Sequence, residues 1–203
     1  MSITLLSIVI LIFSVIIHEV CHGYMANYLG DPTPRIQGRL TLNPIKHIDP
    51  VGSILVPLIT SLYGFTFGWA KPVIYNPYNI KNKRAGEFLI AAAGPVSNLT
   101  LAVIFSIVIR IFVSNGGNSE SFIVVCSYIV FINIVLALFN LIPLPPLDGS
   151  KLFLAFLPQQ YGKTRHILES YGPLFVFIAA FVIWQLVSPI IPIIFKFFTG
   201  ISL

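Results

Sequence analysis

Two histidines and a glutamate lie close together near the N-terminus, in the order His18-Glu19-Val20-Cys21-His22. On an α-helix, residues four positions apart lie about 40° apart around the axis, so both imidazoles can reach one metal ion. Glu19 is turned by about 100° from His18, so its carboxylate lies beside the ion rather than bonded to it. The spacing is typical of zinc hydrolases, in which this glutamate is the general base that takes a proton from water.

The alternative is that this pattern arose by chance. The motif lies within the apolar run Ile3 to Tyr28, and ionisable side chains inside a membrane-spanning helix are costly and usually functional. Cys21 lies beside both histidines on the same helix, but a thiolate as fourth ligand would close the position that water needs. A packed thiol is therefore the preferred interpretation of Cys21.

A catalytic zinc site has three protein ligands and one open position. The candidates for a third ligand outside the motif are Asp31, Asp49, Asp148, Glu87, Glu120, Glu169, His47, His166 and Cys126. Asp148 stands out because it follows the apolar run Phe122 to Ile142 through a segment too proline-rich to remain helical. Non-helical chain at membrane depth packs in protein or lines a cavity, which would carry Asp148 toward the metal. The alternative is an ordinary Asp-Gly turn at a helix exit.

The composition is that of a membrane protein, since 56% of the 203 residues are hydrophobic and 9% are charged, against about a quarter charged in a soluble domain. About 20 apolar residues span a bilayer. Four runs qualify: Ile3 to Tyr28, Glu87 to Val113, Phe122 to Ile142 and Tyr171 to Phe198. The first lacks a basic start and a cleavage site, so we expect a retained helix. The last contains three prolines, which predict a kink or a break near Ser188.

A fifth run, Val51 to Phe67, is short and interrupted by proline and glycine, so we expect a re-entrant segment. Basic residues flank it on both sides, which places both flanking loops in the cytoplasm. The first helix then runs inward, the second outward and the third inward, and the metal site lies toward the cytoplasmic side of the cell membrane. A full crossing by Val51 to Phe67 would force one basic loop outside, which the charge rule disfavours.

The net charge of +5 does not indicate nucleic-acid binding, because the basic residues lie in short loops between apolar runs. Cys21 and Cys126 both lie within apolar runs and imply no disulfide. We expect one integral-membrane domain over residues 1–203, with an all-α, polytopic fold.

Three ordered motifs resemble those of the site-2 protease family of intramembrane zinc metalloproteases. They are His18-Glu-Val-Cys-His-Gly23, Gly94-Pro-Val-Ser-Asn98 and Asn140-Leu-Ile-Pro-Leu-Pro-Pro-Leu-Asp-Gly149. Two further segments, 43–50 and 68–73, resemble its small prokaryotic branch. The resemblance covers most of the chain between residues 15 and 151.

The resemblance implies one Zn²⁺ per chain held by His18, His22 and Asp148, with Glu19 as the catalytic base. It also implies a core of the three motif-bearing helices, and a place near the scissile carbonyl for Asn140, whose amide could donate to a developing oxyanion. The alternative for Asn140 is an interhelical hydrogen bond. For Asn98 we expect structural support of the site.

The leading hypothesis is an endopeptidase that cuts membrane-spanning or membrane-anchored proteins, with the lipid bilayer as its environment. The alternative is a membrane zinc-binding protein or transporter without hydrolytic activity. The sequence does not indicate the substrate, the trigger or the oligomeric state.

Overall fold

A computed structural model describes residues 3–55, 58–59, 70–156 and 181–202 of the chain. The fold is all-α, and four of its helical segments are long and apolar enough to cross a membrane. The six helices named below are α1 Ile3–Tyr28, α2 Thr33–Ile36, α3 Lys83–Ser114, α4 Glu120–Asn140, α5 Asp148–Phe156 and α6 Ile191–Thr199. The chain is therefore a multi-pass membrane protein, as predicted. A single domain over residues 1–203 stays a prediction.

The helix boundaries follow from local chemistry. Helix α1 covers the predicted apolar run. Helix α3 begins at Lys83, before its apolar run, because the Asn82 side chain caps it by accepting a hydrogen bond from the Ala85 N–H. Helix α4 ends at Asn140, before the prolines that follow.

The predicted break near Ser188 is confirmed. The apolar segment Phe181–Thr199 contains a 3-10 turn at Ser188–Ile190 and resumes as α6. Helix α6 ends at Thr199, and the next residue, Gly200, has a φ of 79° in the left-handed region that glycine adopts without strain. The remainder of the C-terminal run, residues 171–180, and most of the expected re-entrant segment lie outside the described residues.

Helices α1, α3 and α4 pack against one another, which gives the expected three-helix core. Helix α6 joins this core from the side of α3 and α4. The buried residues shared by these three helices are Ala102, Ile109, Cys126, Val130, Ile134, Ile191 and Phe195. Among the described residues, α1 contributes none to that cluster, and its His18 and His22 side chains contact α3 instead.

The connection after α1 is fixed by the fully buried Asp31. Its carboxylate accepts hydrogen bonds from the backbone and hydroxyl of Thr33, from the Asn76 N–H and from the Asn79 amide. Because Asn76 and Asn79 belong to the chain that leads into α3, Asp31 joins the two loops at this end of the bundle.

His47, one of the candidate third ligands, is buried in the loop after α2 with 1% of its surface exposed. Its Nε2 lies 2.8 Å from the Thr41 carbonyl, and its own carbonyl accepts a hydrogen bond from the Lys71 N–H. The bond from Lys71 thus ties this loop to the extended segment before α3, away from the three ligand candidates that converge elsewhere.

Candidate metal centre

Three potential metal-ligand atoms converge between α1 and the start of α5. The Nε2 atoms of His18 and His22 lie 3.0 Å apart, and the Asp148 Oδ2 lies 3.0 Å from the first and 3.1 Å from the second. All three side chains are buried. The structure thus brings together the three residues that the sequence analysis selected.

The hydrogen bonds of the two imidazoles determine which nitrogen faces this point. The His18 Nδ1 lies 2.6 Å from the Asn98 Oδ1, and the His22 Nδ1 lies 2.6 Å from the Ile90 carbonyl oxygen. Both partners are acceptors, so both Nδ1 atoms carry the proton and donate it. In neutral imidazoles the two Nε2 atoms then present lone pairs toward the Asp148 carboxylate.

Three acceptor atoms that face one another repel unless a cation lies between them. Two imidazole nitrogens and one carboxylate oxygen form a donor set that Zn²⁺ takes in catalytic sites, with the fourth position left open. The outward Nδ1–H bonds are the usual outer-sphere partners of metal-bound histidines. The residues present therefore fit a zinc ion.

Asp148 reaches this position because of the segment that precedes it. Residues 141–147 are turns rather than helix, and α5 begins at Asp148 itself. A Cβ on Gly149 would overlap the carbonyl oxygens of Leu141 and Ile142, so glycine lets the first turn of α5 pack directly on the turn. The unwound segment was expected from the sequence, whereas α5 was not predicted.

Gly94 on α3 is in contact with both histidines. A Cβ at this position would overlap the His22 Nε2 and the Cε1 and Nε2 of His18. Glycine is therefore required for α3 to lie close enough that its Ile90 carbonyl and its Asn98 side chain reach the imidazoles. The motif that contains Gly94 and Asn98 supports the site, as expected for Asn98.

Glu19 lies beside the three residues and is half-buried. Its Oε2 accepts a hydrogen bond of 2.8 Å from the backbone N–H of Val73, which lies in the extended segment before α3. Cys21 is also half-buried and carries a free thiol. The Asn140 amide donates to the Leu136 carbonyl one turn back in its own helix, which leaves the expected role of Asn140 a prediction.

Several residues that hydrogen-bond to the ligand side chains or to their partners were not predicted from the sequence. Asn133 and Ser14 continue the hydrogen bonds of Asn98, and the Ile90 carbonyl orients His22. A polar amide in the apolar run that became α4 was a usable signal for Asn133. A backbone acceptor such as the Ile90 carbonyl has no signal in the sequence.

Comparison with known proteins agrees with this chemistry. Residues 109–183, which include Asp148, match the family described as "Peptidase family M50". "Putative zinc metalloprotease YwhC" of Bacillus subtilis is 38% identical over 209 residues, which cover 96% of this chain and 91% of that protein. "Putative zinc metalloprotease Rip2" of Mycolicibacterium smegmatis is 30% identical over 68% of this chain and 52% of that protein. "Zinc metalloprotease MJ0392" of Methanocaldococcus jannaschii is 27% identical over 81% of this chain and 38% of that protein. No solved structure matches the chain significantly.

Proposed function

Because this chain belongs to peptidase family M50, the site-2 protease family of zinc metalloproteases, we propose that it cuts membrane-spanning or membrane-anchored proteins within or beside the bilayer. The observation that carries this proposal is the convergence of His18, His22 and Asp148 among helices that are long and apolar enough to cross a membrane. A site so placed is reached most readily by chains that are already in the membrane.

We assign the zinc ion to the two Nε2 atoms and the Asp148 carboxylate. When bound, Zn²⁺ acts as a Lewis acid and makes water a stronger acid at neutral pH. Asn98 and the Ile90 carbonyl hold the imidazoles in the tautomer that leaves both Nε2 lone pairs free. Asp148 contributes one negative charge to balance the cation.

Glu19 is the general base in this proposal. It takes a proton from the attacking water and returns it to the amine of the leaving product, which contributes about 10²- to 10⁴-fold in rate. The hydrogen bond from the Val73 N–H holds one carboxylate oxygen in place, and the other is left for water. Asn140 is proposed to donate to the developing oxyanion through its side-chain NH₂ group, which has two N–H donors and uses one for the Leu136 carbonyl.

The active site is proposed to face the cytoplasm, because loops at the same end of the bundle carry the basic residues. These are Arg35, Arg39, Lys46, Lys71 and Lys81, followed by Lys83 and Arg84 at the start of α3. A substrate must present an extended backbone to be cut, so its helix must unwind near the scissile bond.

The test compares membranes from cells that produce the wild-type protein, Glu19→Gln or Glu120→Gln. Glu120 is exposed at the start of α4 and is a matched control, far along the chain from the motif. We expect a full-length membrane protein to accumulate with Glu19→Gln only, as measured by quantitative mass spectrometry, while zinc content stays equal in all three purified proteins. Native-rate cleavage by purified Glu19→Gln, or zinc transport by proteoliposomes that Glu19→Gln does not affect, would contradict the proposal.

A further inference from the structure

A chain of buried polar side chains runs from His18 into the interior of the helix bundle. It joins Ser14 of α1, Asn98 of α3 and Asn133 of α4, which are 3%, 0% and 0% exposed. Polar groups in such a position are costly in a membrane unless every one is hydrogen-bonded. Here the bonds connect all three core helices directly to the candidate metal centre.

The direction of each hydrogen bond follows from Asn133, which is the member of this polar network farthest from His18. The Asn133 Nδ2 lies 2.9 Å from the Ile129 carbonyl and 2.9 Å from the Ser14 Oγ. A carbonyl only accepts, so the Asn133 amide nitrogen must face α4 and Ser14. Its Oδ1 then faces Asn98.

The orientation of the Asn98 side-chain amide follows from that of Asn133. The Asn98 Nδ2 donates to the Asn133 Oδ1 at 2.8 Å and to the Ser14 carbonyl at 3.4 Å. Both partners are acceptors, so the Asn98 Oδ1 is turned toward His18, where it lies 2.6 Å from Nδ1. A flipped Asn98 would present its NH₂ group to His18 and would favour the tautomer with the proton on Nε2.

We propose that Asn133 is a positioning residue for the metal centre, which acts through Asn98 to keep the His18 Nε2 lone pair available to the cation. This inference rests on the proposed ligand role of His18. Asn133 touches neither the ion nor the substrate, so its effect is on the retention of zinc. Loss of an outer-sphere partner of this kind costs about 10- to 100-fold in metal affinity.

The experiment measures zinc release from purified protein to a chelator in detergent. Asn133→Leu keeps the side-chain volume but removes the acceptor that orients Asn98, and we expect about 10- to 100-fold faster release. Asn133→Asp keeps an acceptor toward Asn98, and release should stay within about threefold of the wild-type rate. Ser106→Ala is the control, because the buried Ser106 hydroxyl bonds only to the Ala102 carbonyl among the described residues.

A second substitution tests whether Asn133→Leu acts by changing the orientation of Asn98 or by disturbing the packing of the helices. In the double variant Asn98→Asp with Asn133→Leu, both carboxylate oxygens are acceptors, so the His18 Nδ1–H must donate whichever way residue 98 is turned. Zinc release should return toward the wild-type rate, and the visible spectrum of the Co²⁺-substituted double variant should match that of the wild type. A purely structural role predicts no rescue.

Two outcomes would overturn the inference: zinc release from Asn133→Leu at the wild-type rate, or fast release that Asn98→Asp does not reverse. His18→Asn distinguishes this failure from that of the proposed ligand set. If His18→Asn retains zinc as the wild type does, His18 is not a ligand. If His18→Asn loses zinc while Asn133→Leu keeps it, the ligand assignment stands and only the positioning role falls.

Discussion

The backbone N–H of Val73 donates a hydrogen bond to the Glu19 carboxylate, with 2.8 Å between N and Oε2. The Val73 side chain is buried against α1, where a Cβ on Gly23 would lie 2.9 Å from its Cγ1. Gly23 lies one helical turn after Glu19, so packing and hydrogen bonding fix the same segment against the same face of α1. The proposed base, Glu19, is therefore held in place by the segment that contains Val73, 54 residues away in sequence.

Removal of this donor should slow catalysis without loss of the metal. Val73→Pro has no N–H, and a hydrogen bond to a charged group contributes roughly 1.5–3 kcal/mol, so we expect at least about a tenfold lower kcat. Val73→Ala is the matched control, since it loses side-chain packing but keeps the N–H. Zinc content and the cleavage rate of a membrane-anchored substrate measure both effects. Equal loss of kcat in the two variants would show that packing, not the hydrogen bond, matters.

A methyl group at position 94 should displace the two histidines. Gly94→Ala would overlap ring atoms of His18 and His22, and strain of about 1–3 kcal/mol corresponds to roughly 5- to 150-fold weaker zinc binding. Gly86→Ala is the control on the same helix, because its Cβ would overlap the Ile80 side chain outside the site. We expect lower thermal stability from both variants but a lower zinc-to-protein ratio from Gly94→Ala alone. Full zinc occupancy in Gly94→Ala would contradict the close approach of α3.

The membrane-spanning helices could be predicted because each comes from one continuous apolar run. Helix α1 has the bounds of its run, since nothing within it interrupts the backbone hydrogen bonds. Helix α5 was missed because it has only nine residues and directly follows a proline-rich turn, so no full apolar period marks it. Short helices of this kind depend on tertiary packing more than on propensity.

The metal-centre residues could be selected because ionisable side chains are rare in this sequence and costly in lipid. Asn98 was expected to support the site, but its contact with His18, 80 positions away, could not be predicted, nor could that of His22 with the Ile90 carbonyl, 68 positions away. Such contacts depend on how α1 and α3 pack. Asn133 was missed, although a polar residue in an apolar helix is a signal that the sequence offers.

Asp31 should make stability depend on pH in the acidic range. Burial raises the pKa of Asp31, but hydrogen bonds from Thr33, Asn79 and Asn76 outweigh burial and hold the pKa below its ordinary value of 3.8. The ionised carboxylate therefore contributes stability that is complete above the unfolded-state pKa and is lost as the pH falls through the lower folded-state pKa.

Asp31→Asn should remove this contribution at all pH values. We expect a lower thermal unfolding midpoint at pH 7, from a loss of roughly 2–3 kcal/mol, and a smaller further decrease between pH 5 and pH 3 than the wild type shows. Glu120→Gln is the control, because it removes an exposed carboxylate at the start of α4. Parallel pH profiles for the wild type and Asp31→Asn would contradict the role of this carboxylate.

The end of α6 lies at the same end of the bundle as the end of α3. The Arg110 guanidinium donates to the Phe197 and Phe198 carbonyls, with 2.6 Å between Nη2 and the Phe197 oxygen. These are among the last carbonyls of α6, which have no partner within the helix. The loop after α3 and the residues after α6 must therefore emerge on one side of the membrane, opposite the basic loop before α3.

This arrangement predicts which positions an impermeant thiol reagent reaches in intact cells. In a background with Cys21 and Cys126 replaced by alanine, we expect labelling of Asn118→Cys and Ser202→Cys, and labelling of Lys81→Cys only after the membrane is opened. All three positions are exposed, so access to the side chain does not limit the reaction. Labelling of Lys81→Cys in intact cells would place the basic loops outside and the proposed active site on the wrong side. Opposite results for Asn118→Cys and Ser202→Cys would instead contradict the contact of Arg110 with α6.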